Sequence, residues 1–289
     1  MTVLSQLKLI AITGVALGAM TLGAAAQDQR ALGDDRLGRS PQRGYLMSCQ
    51  GANPNAPGAQ VEGPWISGDA VLLDQMIFVQ GAVEWPGGWL DIDTSATGRR
   101  LQGNNLPSHA TGVYPVQRTD LAYQYDRNPN RIRAQRIALD LPLAPQIAAQ
   151  ASCVPMGMIG VTLNNVVLFN AVDARGDDAA AHEMLDACHG HPERRGAYHY
   201  HDLSPCLSDA RDASGHSVLV GYAIDGFGLY GPYDGTGEAQ ITNAALDDCH
   251  GHVGPVLWDG ARVEMYHYHL NAEFPFSVGC LRGTPVATQ

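Results

Sequence analysis

Apolar residues come in short runs along this chain, rich in β-branched and aromatic side chains and divided by Gly, Pro and Asn, a pattern of strands rather than helices. Residues 27–44 have no apolar period and predict a flexible leader. Residues 51–64 read as loop, and the run 70–85 (AVLLDQMIFVQGAVEW) predicts a buried strand, or a hairpin broken at Gln80-Gly81. Residues 99–114 are loop-like again, and Asn128-Pro129-Asn130 marks a turn ahead of a strand over 133–141.

The clearest local pattern is the run 159–163, the pair Asn164-Asn165, then the run 166–169. Two apolar runs joined by residues that tolerate positive φ predict a β-hairpin with a tight two-residue turn. Residues 220–224, Asp225-Gly226 and 227–230 repeat the pattern. A constant offset of 61 carries Gly160 onto Gly221 and Leu168 onto Leu229, and then Leu185, Cys188, His189 and His191 onto Leu246, Cys249, His250 and His252. A hairpin and a His-rich loop that shift together by one number imply duplication of a whole unit. Each unit closes on Tyr-His-Tyr-His, at 198–201 and 266–269, where the offset becomes 68 because seven residues are inserted between Gly254 and Met265. Residues 177–185 and 240–246 predict a turn or two of helix inside the units.

The fold expected is mainly β: β-sandwich-like or mixed antiparallel sheets, with few short helices and the internal duplication. One domain over 45–289 would hold an N-terminal β part, about 45–155, and His-rich units at about 156–215 and 216–285. The units should pack on each other with an approximate two-fold relation, on strands supplied by the first half.

At 289 residues and 45% apolar content there is material for a substantial core. Residues 1–26 hold Lys8, an apolar run over 9–17 and Ala24-Ala25-Ala26, the layout of a secretory signal cleaved near Ala26, and the run is short for a membrane span. The mature chain should be secreted or periplasmic, without membrane insertion. Cleavage removes the one lysine and leaves seventeen arginines against 29 acidic residues, a net charge of about −12 that argues against nucleic acid as a partner. Six cysteines in an exported chain favour disulfides. Since a cysteine follows each Tyr-His-Tyr-His, the pairs expected are Cys188–Cys206 and Cys249–Cys280, with Cys49–Cys153 by elimination; the alternative makes Cys188 and Cys249 thiolate ligands.

Eight of the eleven histidines lie in the repeated motifs: His189, His191, His199 and His201, then His250, His252, His267 and His269. In an extended Tyr-His-Tyr-His the two imidazoles share one strand face and the two tyrosines share the other. The glycine between the paired histidines lets the backbone bend, so four imidazoles per unit can surround a cation at about 2.0–2.1 Å. Imidazole ligation suits copper or zinc rather than calcium or magnesium. Tyr198, Tyr200, Tyr266 and Tyr268 would face the core and tether the strand. Asp186 and Asp247 are open to three readings: direct ligands, carboxylates that orient an imidazole, or turn caps. His109, His182 and His216 have no repeat partner and read as ordinary surface or capping residues.

These motifs, in this order and with residues 221–232 (GYAIDGFGLYGP) between the copies, resemble the YHYH domain family of exported proteins, over about residues 112–283 and not over 45–110. The resemblance implies the domain and its export and supplies no reaction. From the residues, three functions stand: an exported metal-binding protein using copper or zinc; a secreted metalloenzyme, hydrolase or oxidase, with one coordination position open; and an adhesive or saccharide-binding β module in which the histidines are structural. No residue is assigned a catalytic role, and no protein partner is identified. Gly-x-Ser-x-Gly, Walker and HExxH motifs are absent.

Overall fold

The computed structural model describes residues 28–288 apart from Ala59 and Thr236, so the signal segment read at 1–26 lies outside the described residues. The first half supplies β1 (Gln29–Ala31), β2 (Leu37–Gly38), β3 (Leu46–Met47), β4 (Ile66–Ser67), β5 (Ala70–Leu72), β6 (Leu90–Thr94), β7 (Gly98–Gly103) and β8 (Ile137–Pro142). They form three small sheets, β1-β5-β4, the parallel pair β2-β3, and the antiparallel set β6-β7-β8.

Several expectations for this half give way. The segment read as a flexible leader contributes β1 and β2, and it is tied to the second half by an ion pair in which Arg30 faces Asp178 across 2.5 Å. The run 70–85 is not one strand: β5 ends at Leu72, a 3₁₀ turn covers Leu73–Gln75, and the following residues make only single bridges, Val79 to Asp186 and Val83 to Thr111. Its apolar residues divide between partners, with Val71 and Val79 in a secondary core around Trp65 while Phe78 and Trp85 pack on the main one. Residues 99–114 include most of β7, whose Arg and Gln positions hide its alternation.

The duplicated units build the central sheet. β9 (Met158–Thr162), β10 (Val167–Phe169), the short helix α1 (Ala179–His182), β11 (Gly190–Pro192) and β12 (Tyr198–Tyr200) form the first, and β13 (Leu219–Ala223), β14 (Gly228–Tyr230), β15 (Gly251–Trp258) and β16 (Ala261–His269) form the second. The sheet order is β11-β12-β10-β9-β13-β14-β16-β15, which reads the same from either edge once units are exchanged. At its centre β9 and β13 run antiparallel, with Val161 opposite Tyr222, Gly160 opposite Ala223 and Thr162 opposite Gly221. Tyr222 is the 61-residue counterpart of Val161, so an approximate two-fold axis passes between these two residues. The units thus supply their own sheet, and the first half wraps it instead of providing the strands beneath.

Both hairpins form, but with three-residue loops rather than two-residue turns. Thr162 N–H donates to Val166 O and Ala223 N–H to Phe227 O. Only the second residue of each pair is left-handed, Asn165 at φ 63° and Gly226 at 91°, which is the pattern of a type I turn followed by one αL residue. The seven-residue insertion lengthens a strand pair: β11–β12 matches three residue pairs, β15–β16 eight. Its tip is fastened by Arg99, which forks onto Asp259 at 2.7–2.9 Å and lies 4.7 Å and 4.9 Å from the rings of Tyr222 and Trp258. The three expected disulfides, Cys49–Cys153, Cys188–Cys206 and Cys249–Cys280, are present.

Candidate metal centres

Each Asp-x-Cys-His-Gly folds into a turn closed by its aspartate. Asp186 Oδ1 accepts the N–H groups of Cys188 and Gly190 at 3.0 Å and 3.2 Å, and Asp247 Oδ1 those of Cys249 and Gly251 at 2.8 Å and 3.2 Å. The hydroxyls of Tyr198 and Tyr266 donate to the same carboxylates at 2.8 Å and 3.0 Å. These aspartates are therefore turn caps and tyrosine anchors rather than ligands. The glycine is required for room: a Cβ at Gly190 would lie 2.2 Å from Cζ of Tyr198, and one at Gly251 2.5 Å from the Tyr266 hydroxyl oxygen.

The bend falls one residue earlier than expected, at His189 (φ 59°) and His250 (φ 74°). This left-handed step turns both side chains away from the other imidazoles, so His189 and His250, expected as ligands, stand outside the two clusters. His189 Nδ1 faces Asp202 at 2.9 Å and its ring stacks on Phe78, while His250 is buried and held down to about 3 by burial.

The remaining six motif histidines do converge, three per unit. In the first centre His199 Nε2 lies 3.0 Å from both His191 Nε2 and His201 Nε2. Glu183, just past α1, brings Oε2 to 2.8 Å from His191 Nε2 and 3.2 Å from His201 Nε2 without a well-aligned hydrogen bond of its own. In the second centre the Nε2 atoms of His252, His267 and His269 are 3.1–3.2 Å apart, and His216 Nε2 stands 3.3 Å from that of His267. Asp234 lies 3.7 Å from His252 and from His216.

The backbone fixes the tautomers. His199 Nδ1 faces Ala197 O at 3.0 Å and His201 Nδ1 faces Asn170 O at 2.6 Å; the counterparts are His267 with Met265 O at 3.1 Å and His269 with Gly231 O at 2.7 Å. A carbonyl only accepts, so each Nδ1 carries a proton, and in its neutral form each ring turns an Nε2 lone pair inward. Burial, with the neighbouring imidazoles His191 and His201, keeps His199 well below the usual range; burial with His252 takes His267 down to about 3. His269 is likewise held low by burial and by His267. Burial opposes the charge on Glu183, but His191 and His201 outweigh it and hold the carboxyl well below its ordinary value; Glu183 in return raises His201 against the pull of burial.

Two residues at these centres have no signal in the repeat. Glu183 maps onto Ala244 and His216 onto Pro155. Only the carboxylate among helix-forming residues, and the excess of histidine over the motif count, pointed to them. His216, read as a surface or capping residue, is buried in the second centre. His182, read likewise, is buried between Val61 O and Asp34. His109 is half-buried, with Nδ1 3.2 Å from Sγ of Cys188 in its disulfide. The four motif tyrosines are buried, as expected for tethers, and so offer no surface to a saccharide.

The first centre opens on a cleft of about 590 Å³, with Glu183, His191, His199 and His201 in its lining. No helix among the described residues is long and apolar enough to cross a membrane. Comparison with curated proteins and with solved structures returns no match. The model of the family described as YHYH protein matches residues 138–245, a stretch that contains the first centre and the hairpin pair at the two-fold axis and lies within the region its motifs indicated.

Proposed function

We propose that this is an exported metal-binding protein holding a transition metal ion, copper or zinc, in each of two separate centres. The observation that carries the reading is the pinning of Nδ1 to backbone carbonyls, which aims several buried Nε2 lone pairs at one another. Lone pairs 3.0–3.3 Å apart repel and cannot hydrogen-bond to each other while the rings are neutral. A cation between them turns the repulsion into coordination. The spacing also fits, because tetrahedral ligands at about 2.0–2.1 Å from zinc lie roughly 3.3–3.4 Å apart. The donors, imidazole with one carboxylate, are those of zinc or copper sites. Three disulfides agree with an oxidising compartment, the setting that the signal-like segment implies.

The test is elemental analysis of protein from the exported fraction, with titration of the chelator-treated protein. Uptake of two equivalents is expected, falling to one in His199→Ala/His201→Ala. Less than about a tenth of an equivalent with no uptake on titration would sink the reading. The cleft above the first centre favours a second reading, a metalloenzyme in which that centre activates water for hydrolysis. Hydrolysis of chromogenic esters that is lost in the same double variant, yet kept when only the second centre is removed, would support it.

A further inference from the structure

The duplication lets one centre act as a template for the other. The core trios are counterparts, His191, His199 and His201 against His252, His267 and His269, and each has a carboxylate beside it: Glu183 against His191 and His201, and Asp234 at 3.7 Å from both His252 and His216. They differ beside His199 and its counterpart His267. In the second centre His216 adds a fourth imidazole: its Nδ1 is fixed on Ser217 O at 2.7 Å, its Nε2 is 3.3 Å from His267, and its ring packs 5.2 Å from Tyr230 and 5.1 Å from His269. In the first centre the counterpart of His216 is Pro155, and the described histidines grouped there are His191, His199 and His201 alone, with Glu183. Phe169, the counterpart of Tyr230, stacks on His199 at 4.0 Å and forms a wall of the cleft.

Several polar groups of the cleft are already engaged by the backbone. The amides of Asn128 and Asn130 donate to Pro192 O, that of Asn170 to Pro155 O, and Asp173 Oδ1 caps the turn at 175–177. Met156, Phe169, Val172 and Pro192 supply apolar wall, and the acidic groups Asp126, Asp173 and Glu193 outnumber Arg194, which disfavours an anion. A volume of about 590 Å³ is that of a small-molecule site. His191, which lines this cleft, has a side chain more than nine-tenths buried and an Nδ1 with no hydrogen-bond partner.

We propose that the first centre keeps a coordination position open on the side that His216 fills in the second, and that this position takes a neutral nitrogen donor of the imidazole class from the cleft. In the second centre His216 holds that position, so such a ligand finds none to take there. The inference rests on the metal-binding reading, and its test separates the two.

Mature protein loaded with cobalt(II), whose visible bands report coordination, is titrated with imidazole while retained metal is measured. Two equivalents of cobalt and a saturable band shift from one of them are expected, and His216→Ala should add a second responding equivalent. Met156→Trp, which narrows the cleft without touching a ligand, should weaken the response about tenfold at unchanged cobalt content. Two cobalt equivalents with no shift before imidazole strips the metal would overturn the inference and leave the metal reading standing. An equal response from both centres of the unaltered protein would overturn it too. No cobalt uptake at all would remove both readings.

Discussion

Gly190 sits under the ring of Tyr198, whose hydroxyl is held by Asp186, and an added Cβ would fall 2.2 Å from that ring. The ring cannot yield without releasing a buried carboxylate. Gly190→Ala is therefore expected to cost about 1–3 kcal/mol, read as a lowered midpoint of denaturant unfolding. It should also cost the first centre's metal equivalent, because β11 carries His191; an unchanged midpoint would mean that Tyr198 has room to move. Tyr198→Phe removes only the hydroxyl and leaves Asp186 its three N–H donors, so it should lower the midpoint while both equivalents remain. At this scale the Tyr-His-Tyr-His histidines and tyrosines were legible, because alternation on a strand depends on sequence parity alone. The paired histidines were half legible. Nothing in Cys-His-Gly-His says that histidine rather than glycine takes the left-handed step. Glu183 and His216 were hidden because reasoning from a repeat discards whatever occurs once.

The element least legible in sequence is the N-terminal segment, whose polar composition conceals how firmly it is held. Asp34 accepts from the N–H of Asp178 and faces His182 Nε2 at 2.9 Å, while Arg30 pairs with Asp178. These contacts grip both ends of α1, the helix next to Glu183. Burial pulls His182 down, but the hydrogen bond to Asp34 and the contact with Val61 O raise it from 6.5 to about 9. Its proton is thus bound more tightly in the folded chain, so the contribution to stability is full below pH 6.5 and is lost as pH rises through about 9. Thermal unfolding of chelator-treated protein should show a melting temperature falling over that window, and Asp34→Asn should flatten the fall. An identical slope in the variant would assign the loss to other groups. The hairpins, in contrast, were plain in the sequence: apolar runs around Asn164-Asn165 and Asp225-Gly226 leave few other structures. Only the loop length escaped, since it depends on which of two residues becomes left-handed.

At the scale of the whole molecule, the duplication places the centres at separate positions about an axis between Val161 and Tyr222, and the groups of the two centres share no residue. The offset of 61 made the two-fold relation legible, whereas the source of the supporting strands was not, because pairing of β9 with β13 leaves no periodic signature. Independent sites that bind only the folded chain should stabilise it separately. At free metal about 100 times the dissociation constant, each contributes about 2.7 kcal/mol. Loading both centres should then raise the unfolding free energy by about 5 kcal/mol over the chelated protein. His267→Ala/His269→Ala should retain about half of that increment through the first centre, and His199→Ala/His201→Ala the other half through the second. Were one double variant to abolish the whole increment and the uptake of both metals, the centres would form a single cooperative unit coupled through β9 and β13.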